Sequence, residues 1–299
     1  MRILVTGATG TLGGAVIPAL LKAGHEVRAV SRTKRDDRGN VEWMWGDLIS
    51  GNGLKEALYG VDAVAHLATS GRKGRGAVDV PGTRTLLILA RAAGVPHVLF
   101  TSMVGADRAA HGYLRYKLEA ERLVAESGLG WTILRCTPFH QWLHHRLGDF
   151  SALPALPVDR SVPWQPVHTG EVATRIAALL SAGPAGREIE YGGPQVLNTE
   201  ELVRTWLRAS GLHRPCVPVR YPGRLYAAQR AGDLTTDAAP KGEITWHDYL
   251  LPPPTLSDDS DDFASEHTAS PTSPATQPEQ DPDLRVYGGD EGYERPTRS

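Results

Sequence analysis

Three glycines spaced three apart, Gly7, Gly10 and Gly13, lie between an apolar run, Arg2-Ile3-Leu4-Val5-Thr6, and a helix-spaced run, Val16, Leu20 and Ala23. An apolar pentapeptide ending at glycine reads as a buried parallel strand. The run from Gly13 to Ala23, stopped by Gly24, reads as a helix. Strand, glycine turn and helix in this order restrict the possible folds more than anything else in the chain. A turn without Cβ atoms lets backbone approach a pyrophosphate, and the helix N-terminus adds free N–H groups and partial positive charge. The spacing is G-x-x-G-x-x-G, and its strand–turn–helix setting is the context that the motif requires. The turn is therefore expected to hold a dinucleotide through Gly7, Thr9, Gly10, Thr11, Leu12 and Gly13.

The alternation continues. Strands are predicted over Glu26–Ser31, Val41–Trp45, Ala63–Leu67, His97–Phe100 and Trp131–Leu134. Helices are predicted over Leu54–Tyr59, Gly82–Ala93 and Leu114–Ser127, the last two stopped by Gly94 and Gly128. Strands separated by helices imply a parallel sheet with right-handed crossovers, an α/β fold of the Rossmann, doubly wound type. Beyond Arg135 the regularity weakens, although a helix is expected over Glu171–Leu180. Asn198-Thr199-Glu200-Glu201 opens another with a capping-box pattern. The expected organisation is a nucleotide-binding core over residues 1–135, then a smaller substrate-side region over 136–251 with elements returning to the core. Residues 252–299 carry 11 acids and 3 bases with almost no aliphatic side chains, and are expected to be a disordered tail.

The end of the second strand bears on which dinucleotide is held. An acid there would bind the ribose 2′-hydroxyl of NAD. The sequence instead reads Val30-Ser31-Arg32-Thr33-Lys34-Arg35, and Asp36 and Asp37 lie farther along. A guanidinium clamps a phosphate bidentately, so Arg32 favours the 2′-phosphate of NADP(H) over NAD(H).

Several segments together resemble the atypical and extended short-chain dehydrogenase/reductases, especially the NmrA-like and NAD(P)-dependent epimerase-like branch. They are Thr6 to Gly13, Gly46-Asp47-Leu48, His66-Leu67-Ala68, Phe100 to Asp107, Tyr113 to Glu121 and Trp131 to Arg135. The resemblance extends from residue 1 to about Leu251. It implies that Asp47, with Leu48, contacts the adenine, and that Ala68 lies beside the adenosine half of the cofactor. It further implies that Pro138 to His145 line the substrate side, and that Pro166 to Ala173 return the chain to the main domain.

Tyr113 and Lys117, four apart, share one face of a helix. A hydride moving to or from nicotinamide must be matched by a proton on the substrate oxygen, and an ammonium beside a phenol tunes its acidity. Tyr116 has the wrong spacing to Lys117 for this pairing. By resemblance, Lys117 also holds the nicotinamide ribose. The resemblance also implies a serine or threonine, near the end of the preceding strand, that hydrogen-bonds the substrate oxygen. Ser102 is the candidate, Thr101 is the alternative, and Met103 takes the slot in another register.

Two cysteines, Cys136 and Cys216, cannot build a disulfide framework and fit a reducing compartment. A strand starting at Arg2 leaves no room for a signal peptide, and no apolar run is long enough to span a bilayer. A cytoplasmic monomer or homodimer is expected, without membrane or nucleic-acid partners, since the modest basic excess lacks an aromatic-interleaved stripe. His140 and His144 are four apart, but no third ligand follows at metal-site spacing, so no metal is expected. Polar groups lining an aromatic substrate pocket are the favoured reading of that stretch. The leading expectation is an NADP(H)-dependent oxidoreductase acting on a small carbonyl, enone or quinone-like substrate. A non-catalytic NADP(H)-sensing regulator and a sugar-nucleotide epimerase or dehydratase are the alternatives.

Overall fold

A computed structural model describes residues 1–37, 39–69, 76–109 and 112–251 of the 299-residue chain. The expectation of a disordered tail falls on residues 252–299, outside the described residues. In chain order the first elements are β1 (Arg2–Thr6), α1 (Thr11–Lys22), β2 (Glu26–Ser31), β3 (Val41–Trp45), α2 (Leu54–Leu58) and β4 (Ala63–His66). A π-helical turn, Val78–Gly82, then leads into α3 (Thr83–Ala92), β5 (His97–Met103), α4 (Tyr113–Ala125), β6 (Gly130–Cys136) and α5 (His140–Gly148). The remainder comprises β7 (Leu156–Val158), β8 (Pro163–Trp164), α6 (Thr169–Ala182), β9 (Glu188–Tyr191), β10 (Leu197–Asn198), α7 (Thr199–Ala209), β11 (Cys216–Pro218), α8 (Arg224–Arg230) and α9 (Trp246–Leu250).

Seven strands form one sheet in the order β3-β2-β1-β4-β5-β6-β9, every neighbouring pair parallel. Alternation of side chains along the strands supplies two cores. Ile3, Val5, Val27, Ala29 and Leu99 face Val16 and Leu20 of α1 and Ile176 and Leu180 of α6. Leu4, Val30, Val64, Val98 and Phe100 face α2, α3 and α4. The sheet is thus covered on both faces, as an all-parallel sheet requires. The order reverses direction at β1, where the next strand in sequence lies on one side and β4 on the other. The carboxyl ends beside that point are where ligands of open α/β sheets bind.

After β6 the chain leaves the sheet to form α5 and then returns through α6 and β9. A smaller core joins α5, α7 and α9 around Leu143, Leu147, Leu202, Trp206 and Trp246. Helix α7 starts with the expected capping box: Asn198 accepts from Glu201 N–H, and the Glu201 carboxylate accepts from Asn198 N–H. The outermost strands of the main sheet are β3 and β9.

Candidate active site

The chain leaves β1 at Gly7 with φ of +70°, a left-handed conformation open to glycine. A Cβ at Gly7 would stand 2.7 Å from the Ala68 nitrogen, so this turn lies directly against the chain leaving β4. Gly10 N–H donates to the Gly7 carbonyl at 3.0 Å and closes the turn. Gly10 is also the N-cap of α1, with no side-chain hydrogen bond to the first-turn N–H groups. At Gly13 a Cβ would lie 2.3 Å from the Gly7 oxygen. Thr9, Gly10 and Thr11 are exposed, while Leu12 and Gly13 are buried beneath them. Backbone that a Cβ would obstruct, ahead of a helix end with no side-chain cap, fits a pyrophosphate.

The other expected cofactor residues follow the carboxyl ends of β2, β3 and β4, on either side of β1 in the sheet. Arg32 is exposed just beyond β2, where Ser31 Oγ accepts from Thr33 N–H at 3.1 Å. Asp37, the acid farther along, is engaged elsewhere: its Oδ1 accepts from Trp43 N–H at 2.7 Å. Asp47 follows β3 and its Oδ1 caps the next turn, accepting from Ile49 N–H at 2.6 Å and Ser50 N–H at 3.1 Å. Half-buried Leu48 packs near Gly82, where an added Cβ would be 3.3 Å from its own Cβ.

The chain passes from Ala68 directly into the polar centre of the site. Thr69 Oγ1 lies 2.5 Å from the Tyr113 hydroxyl and donates to Asp79 Oδ1 at 2.8 Å. Tyr113 also donates to Asp79 Oδ1, at 3.2 Å, and the Lys117 ammonium pairs with the same oxygen at 3.1 Å. Lys117 Nζ donates to the Thr101 carbonyl at 3.3 Å and lies 4.9 Å from the Phe100 ring centroid. Asp79 is fully buried, while Tyr113 and Lys117 retain 9% and 5% exposure. Tyr113 and Lys117 were expected to converge; Asp79 and Thr69 were not foreseen.

Local structure explains this convergence. Tyr113, Lys117 and Glu121 fall at i, i+4 and i+8 on the buried face of α4. Glu121 is clamped by Arg135 of β6 through two bonds, at 3.0 and 2.6 Å, and Arg135 also holds Asp107 at 2.8 Å. This bidentate buried pair fixes α4 against the sheet. Asp79 comes from the π-turn. Pro81 has no N–H, and Gly82 N–H reaches back five residues to the Ala77 carbonyl at 3.1 Å. Tyr116 lies outside the network, with its ring over Gly76.

Burial raises the Tyr113 phenol above its usual range; Lys117 pulls it down and Asp79 pushes it up again. For Lys117, burial opposes the charge, but Tyr113 and Asp79 hold the ammonium up at about 12. Lys117 is therefore a cation throughout the neutral range.

Behind this group, His66 bridges two hydroxyls, with Nδ1 2.7 Å from Thr6 Oγ1 and Nε2 2.8 Å from Thr83 Oγ1. Burial, reinforced by the Lys117 charge, depresses it to about 3. His140 is also fully buried and is depressed to about 4, chiefly by burial and then by His168. Both imidazoles are neutral when folded and take a proton when unfolded, so their contribution is intact above about pH 6.5 and is lost as pH falls. Each should cost about 2 kcal/mol of stability between pH 7 and pH 5. Urea unfolding at the two pH values measures this loss, and His66→Gln should remove roughly half of it.

Ser102, at the end of β5, has a buried Oγ with no hydrogen-bond partner among the described residues, and the same holds for Thr101 Oγ1. Met103 is half-buried and packs near Leu114 and Leu234. The stretch expected to line an aromatic pocket is partly internal. The His140 ring stacks on Tyr249 at 5.1 Å and lies 5.6 Å from Trp246, because α9 packs over α5.

Comparison with known proteins places this geometry in a wider group. Residues 7–180 match the NAD(P)H-binding family. Photosystem II assembly factor Ycf39 of Cyanophora paradoxa is 32% identical over 228 residues, covering 71% of this chain and 69% of that protein. A (4-alkanoyl-5-oxo-2,5-dihydrofuran-3-yl)methyl phosphate reductase of Streptomyces griseus is 31% identical over 218 residues, covering 70% of this chain and 74% of the reductase. Uncharacterized mycobacterial relatives are longer, and the match spans 24% of their length. Among solved structures, an NADPH-dependent quinone oxidoreductase from Escherichia coli, complexed with NADPH, superposes with a TM-score of 0.70 at 21% identity. That match covers 83% of this chain and 98% of the oxidoreductase. On the match over residues 7–180, from the glycine turn into α6, this chain belongs to the NAD(P)H-binding family.

Proposed function

We propose that the chain is an NADP(H)-dependent oxidoreductase that exchanges a hydride with a small carbonyl, enone or quinone-like substrate. The observation that carries this reading is the short path from cradle to acid. Gly7 abuts Ala68, and the next residue, Thr69, touches the Tyr113 hydroxyl. The glycine turn follows β1 and Thr69 follows the neighbouring β4, so Thr69 links the proposed phosphate site to the buried Tyr–Lys pair. When bound, the nicotinamide supplies or accepts the hydride. Tyr113 then serves as the acid/base at the substrate oxygen, Lys117 tunes it and reaches the ribose, and Ser102 orients the oxygen. Pro138 to His145 and the rest of residues 136–251 form the substrate side.

Gly7, Thr9, Gly10, Thr11, Leu12 and Gly13 would hold the pyrophosphate, with Asp47, Leu48 and Ala68 around the adenosine and Arg32 on the 2′-phosphate. The engagement of Asp37 by Trp43 N–H supports this preference, because that acid is drawn away toward β3. Titration with NADPH and NADH tests it. Arg32→Ala should weaken NADPH by tenfold or more, corresponding to about 1.4 kcal/mol, and leave NADH nearly unchanged. Tighter binding of NADH than NADPH by the unaltered chain would remove the argument for Arg32.

The assembly-factor relative supports a second reading, a cofactor-binding regulatory protein without turnover. NADPH consumption across a panel of ketones, enones and quinones separates the two. Measurable turnover with any of them excludes the regulator reading, and NADPH binding with no consumption favours it.

A further inference from the structure

We propose that the acidic segment from Leu256 to Phe263 of this chain docks in a basic groove beside α7, an intrachain contact independent of the catalytic reading. The groove, of about 430 Å³, lies between the last turns of α7 and the residues leading to β11. Arg204, Leu207 and Arg208 fall at i, i+3 and i+4 on one helix face, and His213 and Arg214 continue the line. Leu207 is buried and Leu212 half-buried, so apolar surface lies beside exposed cations.

Those cations are only partly neutralised. Arg204 pairs with Glu200 at 2.7 Å, and the same carboxylate also serves Arg160. Arg208 donates to the Thr205 hydroxyl at 3.2 Å and Arg214 to the His213 carbonyl at 3.3 Å. Among the described residues neither meets a carboxylate.

The occupant is argued from charge and reach. Residues 252–299 lie outside the described residues, and their sequence holds 11 acids and 3 bases. Leu256-Ser257-Asp258-Asp259-Ser260-Asp261-Asp262-Phe263 sets four carboxylates between two apolar side chains, and the tail's bases begin later, at Arg285. That pattern complements the groove: carboxylates for Arg208 and Arg214, and Leu256 and Phe263 for the surface of Leu207 and Leu212. The described chain also ends close by. Trp246 Nε1 of α9 donates to the Leu202 carbonyl of α7 at 3.0 Å, and Tyr249 and Leu250 join the core that holds Leu207 and Leu212. Leu251 is exposed. A helix with its side chains is about 10–12 Å across, so passing round α7 takes roughly 16–19 Å. The six residues 252–257 span about 20 Å when extended. Exposed ion pairs contribute little one at a time. A short tether supplies a millimolar effective concentration, so a contact with a millimolar dissociation constant is about half occupied.

The test is limited chymotrypsin digestion of the full chain. Cleavage after Phe263 is read as a ratio to cleavage after Tyr287, a site in the same tail outside the segment. Arg208→Glu with Arg214→Glu changes two exposed side chains and should raise that ratio by about twofold or more, with the thermal midpoint as the check on folding. Salt at about 0.5 M should raise it in the unaltered chain, a comparison that needs no variant. In a chain whose tail carries Asp258→Lys, Asp259→Lys, Asp261→Lys and Asp262→Lys, the same two groove substitutions should lower the ratio instead. A ratio that neither the groove substitutions nor salt changes overturns the proposal. So does protection that grows with chain concentration, which would assign the segment to a second copy. Binding of a short single-stranded DNA, lost in the groove variant while the cleavage ratio stays unmoved, would give the groove to a nucleic acid instead.

Discussion

Replacing Tyr113 with phenylalanine should lower turnover by about 10²–10⁴-fold while leaving NADPH affinity within a few-fold of the unaltered chain. The ring is buried at the start of α4, so phenylalanine keeps its packing and loses only the hydroxyl. Thr69 and Asp79 still satisfy each other at 2.8 Å, and Lys117 retains Asp79 and the Thr101 carbonyl. What disappears is the proton that the proposed mechanism assigns to the substrate oxygen. The effect should therefore fall on kcat, with the cofactor dissociation constant as the control. Turnover within a few-fold of the unaltered chain would remove Tyr113 from the acid/base role.

Gly13→Ala should abolish measurable dinucleotide binding and destabilise the fold by about 1–3 kcal/mol. The new methyl carbon would lie 2.3 Å from the Gly7 oxygen and 2.7 Å from the Ala8 backbone. Both contacts are backbone, so relief requires the turn itself to move, and the turn is the proposed phosphate site. Gly14→Ala is the matched control one residue later. Nothing stands within 4 Å of a Cβ there, and alanine is a better helix residue than glycine by about 0.5–1 kcal/mol. Gly14→Ala should raise the unfolding midpoint where Gly13→Ala lowers it. Similar behaviour of the two variants in calorimetry and NADPH titration would deny the turn its special geometry.

The nucleotide-binding half was legible because its signals are local. Buried strands such as Ile3-Leu4-Val5 are continuous apolar runs, and Gly24, Gly94 and Gly128 stop the helices in left-handed conformations. Boundaries moved where tertiary contacts extend an element. β5 runs on to Met103 because β6 pairs with it as far as Cys136. α1 starts at Thr11, two residues before the expected Gly13, because Gly10 serves as its cap. Beyond Cys136, the two- and three-residue strands β7, β8, β10 and β11 have no period to read. α5 hid its buried face because His140 stands with Leu143 and Leu147 on it.

The site divides in the same way. Tyr113 and Lys117 were readable because one helix turn joins them. Thr69 and Asp79 lie 44 and 34 residues from Tyr113 along the chain and meet it only through the fold. The available hint for Asp79 was a carboxylate between two valines just ahead of Pro81-Gly82. An acid in an apolar run beside a proline marks a place where a helix is interrupted and a charge needs a partner.

The two outermost strands guard the sheet by different means against growth by another chain. An edge strand offers open backbone groups that a second copy can pair with. On β9, Glu188 and Glu190 alternate along the strand, and Arg108 holds Glu190 at 3.3 Å. A copy laid antiparallel along β9 would bring its own carboxylates against these, and like charges facing across a strand pair are destabilising. On β3 the Glu42 charge is neutralised by Arg28 at 2.8 Å, and Trp45 is 47% exposed. The β3 edge is obstructed by other means, because its Trp43 N–H is already taken by Asp37 Oδ1 at 2.7 Å, so strand addition meets carboxylates at β9 and a side-chain cap at β3.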